Sequence, residues 1–315
     1  MKAVITGVNG FVGKNLSRTL FRDNRFDEIV GVSRKTAVKT QFVDKSYCCN
    51  LGNPDPDSQD DEIFRLALNH HKPDIIFHLA SKSTVRMDDK NPFKILQDNI
   101  ISTQKVAHYA PKGCRVILAS SVIVYGDWLF NPPPSGNPKY EEPNKTDPTS
   151  IYGVTKRASE GIIKYYTDIG HIKGVSARMC ATVGNGLTHG IVYDFTRKLR
   201  QNPTLEAIGS KPGSVKPFCH IDDLLQAFLI LAFSDDIGEF NIVPDDEISV
   251  KKVASAVMEG LQIHKPLVWL GDGANWKGDN KIISVDNTKL KDIGWVPKYP
   301  KSYEAIKNAV QEMNR

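Results

Sequence analysis

Short apolar runs alternate with amphipathic stretches through the first half of the chain. Lys2–Thr6 is apolar and partly β-branched, the pattern of a strand buried on both faces; Phe11, Val12, Leu16 and Leu20 then recur at helical spacing. The same reading predicts strands at Glu28–Ser33, Asp74–Ser81 and Lys173–Met179, and a further strand within Cys114–Gly126. Helices are predicted at Phe64–His71, Ile95–Ala110 and Tyr152–Asp168. Strand–helix alternation of this kind predicts a doubly wound parallel sheet, an α/β fold. Beyond Arg178 the pattern thins. Helices at Val192–Asn202, Asp222–Phe233, Ser249–Gly260 and Tyr303–Met313 alternate with short extended pieces. The expected division is a sheet domain over residues 1–178, with 219–234 returning to it, and a smaller C-terminal substrate-binding lobe over most of 179–315. Phe130–Ser150, rich in Pro, Asn and Ser, reads as a linker or as an ordered excursion; the second is favoured, because elements on both sides belong to the sheet.

The first strand runs into Gly7, Gly10 and Gly13, and a helix begins at once. A helix start leaves N–H groups unpaired and aims the positive end of its dipole outward. A pyrophosphate docks there when no Cβ blocks it. Gly7 suits a tight turn, Gly10 close approach and Gly13 packing of helix on strand, so the segment predicts a dinucleotide site in a Rossmann-type sheet.

Composition narrows the field. The chain has 315 residues, 40% hydrophobic and 24% charged, ordinary values for a soluble globular protein. A strand starting at residue 2 leaves no room for a leader, and the Leu224–Phe233 run is too short to span a bilayer. The net charge of +5 is spread along the chain rather than gathered on a basic stretch with aromatics, which argues against nucleic acid and suits an anionic small substrate. Five scattered cysteines and eight histidines form no metal-ligand or disulfide spacing, which points to a reducing, cytoplasmic setting and no metal.

Tyr152 and Lys156 are four residues apart on one predicted helical face, and Ser121 follows a predicted strand at the sheet's carboxyl edge. An ammonium beside a phenol favours the phenolate and lowers its pKa from about 10 towards neutrality, which suits a general base or acid. Ser121 is placed to hold and polarise the same substrate oxygen.

The segments "TGVNGFVG", "FHLAS", "DNIIST", "ASSVIVYG", "PTSIYGVTK" and "HIDDLLQAF" follow one another as in the extended short-chain dehydrogenase/reductases of the nucleotide-sugar epimerase/dehydratase branch, which nearly the whole chain resembles. With "HGIVYDFTRKLRQNP" and "WKGD", the substrate half looks most like UDP-galactose 4-epimerases of the archaeal kind. The resemblance implies a catalytic Ser121, Tyr152 and Lys156, and a pyrophosphate turn of Gly7, Gly10, Phe11, Val12 and Gly13. It further implies adenine contacts at Asn50 and Leu51, cofactor contacts at Leu79, Ala80, Ser81 and Asn99, and a bond from Lys156 to the nicotinamide ribose. Lys216 and Asp279 match substrate-binding positions, and a homodimer through Ile95–Ala110 and Tyr152–Asp168 is implied.

Departures from the family pattern carry information. Dehydratases of the branch place Asp-Glu after the position of Ser121, and decarboxylases use a Glu at the second of those places; here stand Val122 and Ile123, so neither activity is expected. NAD-binding members place an Asp after the second strand, whereas Ser33-Arg34-Lys35 stands here and favours NADP(H) over NAD(H), since Arg34 suits a 2′-phosphate. Ala181 lacks the side chain of the usual Asn, and Lys216 replaces an Arg, which leaves nucleotide and sugar open. The leading reading is a nucleotide-sugar 4-epimerase. An NADPH-dependent 4-keto-sugar reductase is the alternative, and a non-catalytic dinucleotide-binding regulator is the reading from another class.

Overall fold

A computed structural model describes residues 1–34, 40–83, 92–129, 131–133, 139–142, 144–271 and 279–314. Lys35 and the Trp276–Gly278 part of "WKGD" lie outside the described residues. The centre is a seven-stranded sheet of β1 (Lys2–Thr6), β2 (Glu28–Ser33), β3 (Lys45–Cys48), β4 (Ile75–His78), β5 (Arg115–Ser121), β6 (Lys173–Met179) and β7 (Gly238–Ile242). Its order is β3-β2-β1-β4-β5-β6-β7 and every pairing is parallel. The order reverses between β1 and β4, so the crevice at their carboxyl ends is where folds of this kind take ligands.

Helices cover both faces. They are α1 (Phe11–Arg22), α2 (Gln59–His71) and α3, which joins Pro92–Leu96, a π-helical Gln97–Ile101 and Ser102–Tyr109. α4 (Ile151–Asp168) and α6 (Ile221–Phe233) complete the layers, with α5 (Ile191–Gln201) between them in the chain. One apolar core packs Leu16, Leu20 and Phe228 against Ile5, Phe77 and Ile117; on the other face Phe64 and Val106 pack against Val4, Ile76 and Leu118. A third apolar cluster lies among α5, α7 (Val250–Leu261) and α8 (Ser302–Met313).

Two strands escaped the sequence reading. β3 is short and half exposed, so its alternation is weak. β7 lies past residue 179 and returns to the sheet beside β6, after α6 has crossed back. The described residues of Phe130–Ser150 form the ordered excursion: Tyr140 is fully buried and bridges to Val285, and Glu142 is buried.

The first turn explains its glycines. Gly7 has φ 71°, and a Cβ there would lie 2.8 Å from the Ala80 nitrogen. A Cβ on Gly13 would lie 2.4 Å from the Gly7 carbonyl oxygen and 2.7 Å from the Val8 Cα. Gly161, in the middle of α4, has open space around its Cβ position. Gly13→Ala is therefore expected to destabilise by roughly 1–3 kcal/mol, and Gly161→Ala to stabilise by about 0.5–1 kcal/mol. Urea denaturation of both variants checks the contrast.

Candidate active site

The turn residues line a cleft at the reversal point. Gly7 and Gly10 form its floor beside the uncapped start of α1; Phe11 and Val12 lie in that helix's first turn, packed against the core. Ser33 and Arg34 form one wall at the end of β2, Leu79, Ala80 and Ser81 another after β4, and Asn50 and Leu51 close the far end. The cavity is about 270 Å³. Small-molecule sites run to roughly 300–1,000 Å³, so this is room for part of a dinucleotide. Asn50 Oδ1 is buried there without a hydrogen-bond partner among the described residues, an acceptor fitted to an exocyclic amino group. Bare backbone at the glycines, an open helix start and this acceptor fit an adenine dinucleotide.

Asn99, expected along the cofactor, is held from both sides. Its Oδ1 accepts from the Ser81 hydroxyl (3.0 Å) and the Lys82 amide (2.8 Å), while its Nδ2 donates to Thr155 Oγ1 (2.9 Å). It staples the loop after β4 to α4, holding two walls of the site at fixed separation.

Ser150 caps α4 by accepting from the Gly153 amide at 3.2 Å. The helix then presents Tyr152, Lys156 and Glu160 on one face at successive four-residue steps, beneath the end of β5. Ser121, at that strand's last position, accepts from the Ile123 amide at 3.3 Å and lies near enough to the Tyr152 phenol to lower its pKa. Lys156 is buried, and its ammonium donates to the Ala119 carbonyl at 2.6 Å. Its Nζ stands 5.8 Å from the Tyr152 ring centre.

This geometry corrects one expectation. Burial pushes the Tyr152 phenol up to about 12, offset in part by the nearby Ser121 hydroxyl, rather than down towards neutrality. The ammonium is turned to a carbonyl instead of the phenol oxygen, so it does not offset the cost of burying a phenolate. Burial also pushes Lys156 down to about 8, opposed by Glu160. His78, fully buried, is pushed to about 3 by burial and by the Lys156 charge, so it serves as a neutral bridge between Thr6 and Thr103.

Glu160 is tied down in turn. Arg178 donates to both its oxygens at 2.8 Å, and Ser120 donates to one at 2.6 Å. Arg178 also donates to the Tyr125 hydroxyl, which donates to Asn241 on β7. The sequence offered no signal for this buried network, because its members come from four separate segments.

Lys216 and Asp279 form an ion pair with each other. Burial raises the Asp279 pKa, and the Lys216 charge opposes the rise. The adjoining Asn280 donates to the Gly126 carbonyl and accepts from Thr149, so the pair lies on a loop stitched to the segments carrying Ser121 and Tyr152. Histidine spacing also hid a cluster: His220, Asp222 and Glu312 lie together. There His220 Nδ1 accepts from the Asp222 amide as the cap of α6, which accounts for its burial.

The sequence model of the NAD dependent epimerase/dehydratase family matches residues 3–243. The chain belongs to this family. It is 27% identical over 312 residues to UDP-glucuronic acid decarboxylase 5 of Arabidopsis thaliana, covering 95% of this chain and 85% of the relative. It is 23% identical to the UDP-glucose 4-epimerase of Mycolicibacterium smegmatis, covering 94% of each. A crystal structure of UDP-galactose 4-epimerase superposes with a TM-score of 0.80 at 26% identity, over 100% of this chain and 99% of that one. The Thermus thermophilus UDP-glucose 4-epimerase, in complex with NAD, shares the fold with a TM-score of 0.83 at 22% identity, over the same shares. The similarity to decarboxylases runs against the expectation from Val122 and Ile123 that this family member is not one. Among the described residues no helix is long and apolar enough to cross a membrane.

The buried ammonium yields a stability prediction. The folded-state value of Lys156 lies below the ordinary lysine value of 10.5, so the penalty is complete below about pH 8 and gone above about 10.5. Lys156→Met is expected to be more stable than wild type by about 2 kcal/mol at pH 7, with the gap closing as pH approaches 10.5. Denaturant titrations at the two pH values measure it.

Proposed function

We propose that this family member is a nucleotide-sugar 4-epimerase. One observation carries the reading: Ser121, Tyr152 and Lys156 gather at the carboxyl edge of the sheet that also bears the glycine-lined cleft, while the next two side chains after Ser121 are apolar and packed inward. A nicotinamide dinucleotide, when bound, supplies a reversible hydride acceptor. The Tyr152 oxygen takes the proton of the sugar 4-hydroxyl, and Ser121 holds that same oxygen. Lys156 keeps positive charge beside the reacting groups. The 4-keto sugar turns over in the site, so that hydride would return to the opposite face of carbon 4, while Tyr152 returns the proton to the 4-oxygen. Lys216 meets the diphosphate, after parting from Asp279.

Val122 is 2% exposed and Ile123 packs against the core, so neither position offers a proton. Loss of water from a sugar ring needs such groups. A 4-keto uronic acid, by contrast, is a β-keto acid and loses carbon dioxide with little help, so UDP-glucuronic acid belongs on the substrate panel. Arg34 favours NADP(H) and, with it, the 4-keto-sugar reductase as second reading, because cells keep NADPH as a reductant. Apolar Phe93 on α3 and Tyr165 on α4 are exposed, which supports a homodimer through these helices.

A nucleotide-sugar panel with purified protein tests the proposal. Interconversion of UDP-glucose and UDP-galactose with tightly held cofactor is expected. Carbon dioxide released from UDP-glucuronic acid would replace it with a decarboxylase, and stoichiometric NADPH oxidation by a 4-keto sugar with a reductase. Tyr152→Phe should lower kcat by at least about 100-fold; a wild type without turnover on any nucleotide sugar, with binding untouched by the substitution, would make the chain a non-catalytic regulator. Arg34→Asp should shift relative affinity from NADP(H) towards NAD(H), and an unchanged ratio in isothermal titration would withdraw NADP(H).

A further inference from the structure

Arg34 does more than stand at the end of β2. Its Nη1 donates to Asp98 Oδ2 at 2.8 Å, joining the rim of one cleft wall to the π-helical segment of α3. Both residues line the cavity that holds Asn50, Leu51 and Gly52. The guanidinium is half exposed, whereas the Asp98 side chain is only 6% exposed. Asp98 is firmly placed: the Ser102 hydroxyl donates to its carbonyl at 2.5 Å, and a Cβ on Gly52 would lie 2.7 Å from its Oδ1. The floor of the cleft at residue 52 therefore has to be glycine for the carboxylate to come so close. A π-helical turn, a feature frequently found at functional sites, buries Asp98 and Asn99 side by side, one into the cleft and one into the staple to Ser81 and Thr155.

We propose that Asp98 is a positioning residue that holds the Arg34 guanidinium across the adenine end of the cleft, and that this bridge slows release of a bound dinucleotide. A planar cation fixed by a buried carboxylate loses little freedom when a base stacks beneath it, so its contact is pre-organised. The ion pair must part, or swing aside with its rim, before the base can leave. The inference rests on the dinucleotide-dependent reading above and deepens it: slow release suits an epimerase, whose cofactor ends each cycle unchanged, and hinders a reductase.

Stopped-flow fluorescence of bound NADH and NADPH, chased with excess ADP-ribose, gives the release rate of the full-length protein. Asp98→Asn and Arg34→Met are each expected to speed release roughly fivefold to tenfold, and the double variant to be no faster than the faster single. Unchanged or slower release in the variants overturns the proposal, as do effects that multiply in the double variant, since Asp98 would then act without Arg34. Arg34 lies on the rim, so its single variant decides the matter even if Asp98→Asn misfolds. Wild type that binds neither NADH nor NADPH overturns the dinucleotide reading and the bridge with it; binding with release insensitive to Arg34 overturns the bridge alone.

Discussion

A buried ammonium whose hydrogen bond goes to a main-chain carbonyl is the interaction on which this site depends. Lys156 holds the Ala119 oxygen at 2.6 Å, and so ties α4 to the end of β5 where Ser121 emerges. An ion in that position is costly unless charge of the other sign lies near. Glu160, one helical turn further, supplies it, but a buried carboxylate needs its own partner. Arg178 provides a two-pronged one from β6, and the remaining guanidinium donors reach Tyr125 and the Glu142 carbonyl. The polar seam beneath Ser121 and Tyr152 thus follows from one lysine, and it recruits β7 through Asn241.

The same logic accounts for the protonation state at rest. With the ammonium committed to a carbonyl, the Tyr152 phenol keeps its proton, held by burial well above neutrality. Activation of the phenol then requires a change in its surroundings, from substrate and cofactor filling the site, rather than from the resting Lys156 alone. Buried but weakly paired groups of this sort are expected where stability is given up for chemistry.

Much of this was legible in the chain. Gly7, Gly10 and Gly13 gave the turn; at Gly7 and Gly13 a Cβ would lie 2.8 Å or closer to backbone atoms, which leaves no alternative residue there. β2 and β6 were read to their end residues, since buried parallel strands are continuous apolar runs. The four-residue step of Tyr152 and Lys156 survived because local helical geometry fixes it. What was misread or not visible depends on distant partners. The direction of the Tyr152 shift turned on where one flexible lysine points. The staple role of Asn99, the Arg34–Asp98 bridge and the Glu160–Arg178 pair each join segments far apart in sequence, and β7 is too short and too late in the chain to be distinguished from a lobe strand. Even family membership leaves the reaction open, since relatives named as decarboxylases and as epimerases both align along nearly the whole chain.

In the proposed reaction chemistry occurs at sugar carbon 4, with hydrogen leaving and returning to that carbon while only the hydroxyl proton passes through Tyr152. The most direct measurement follows a nucleotide sugar deuterated at carbon 4, incubated with the protein in ordinary water and analysed by nuclear magnetic resonance. The account predicts product inverted at carbon 4 with the deuterium still attached there. Deuterium lost to solvent, or inversion with hydrogen from water at carbon 4, would contradict it.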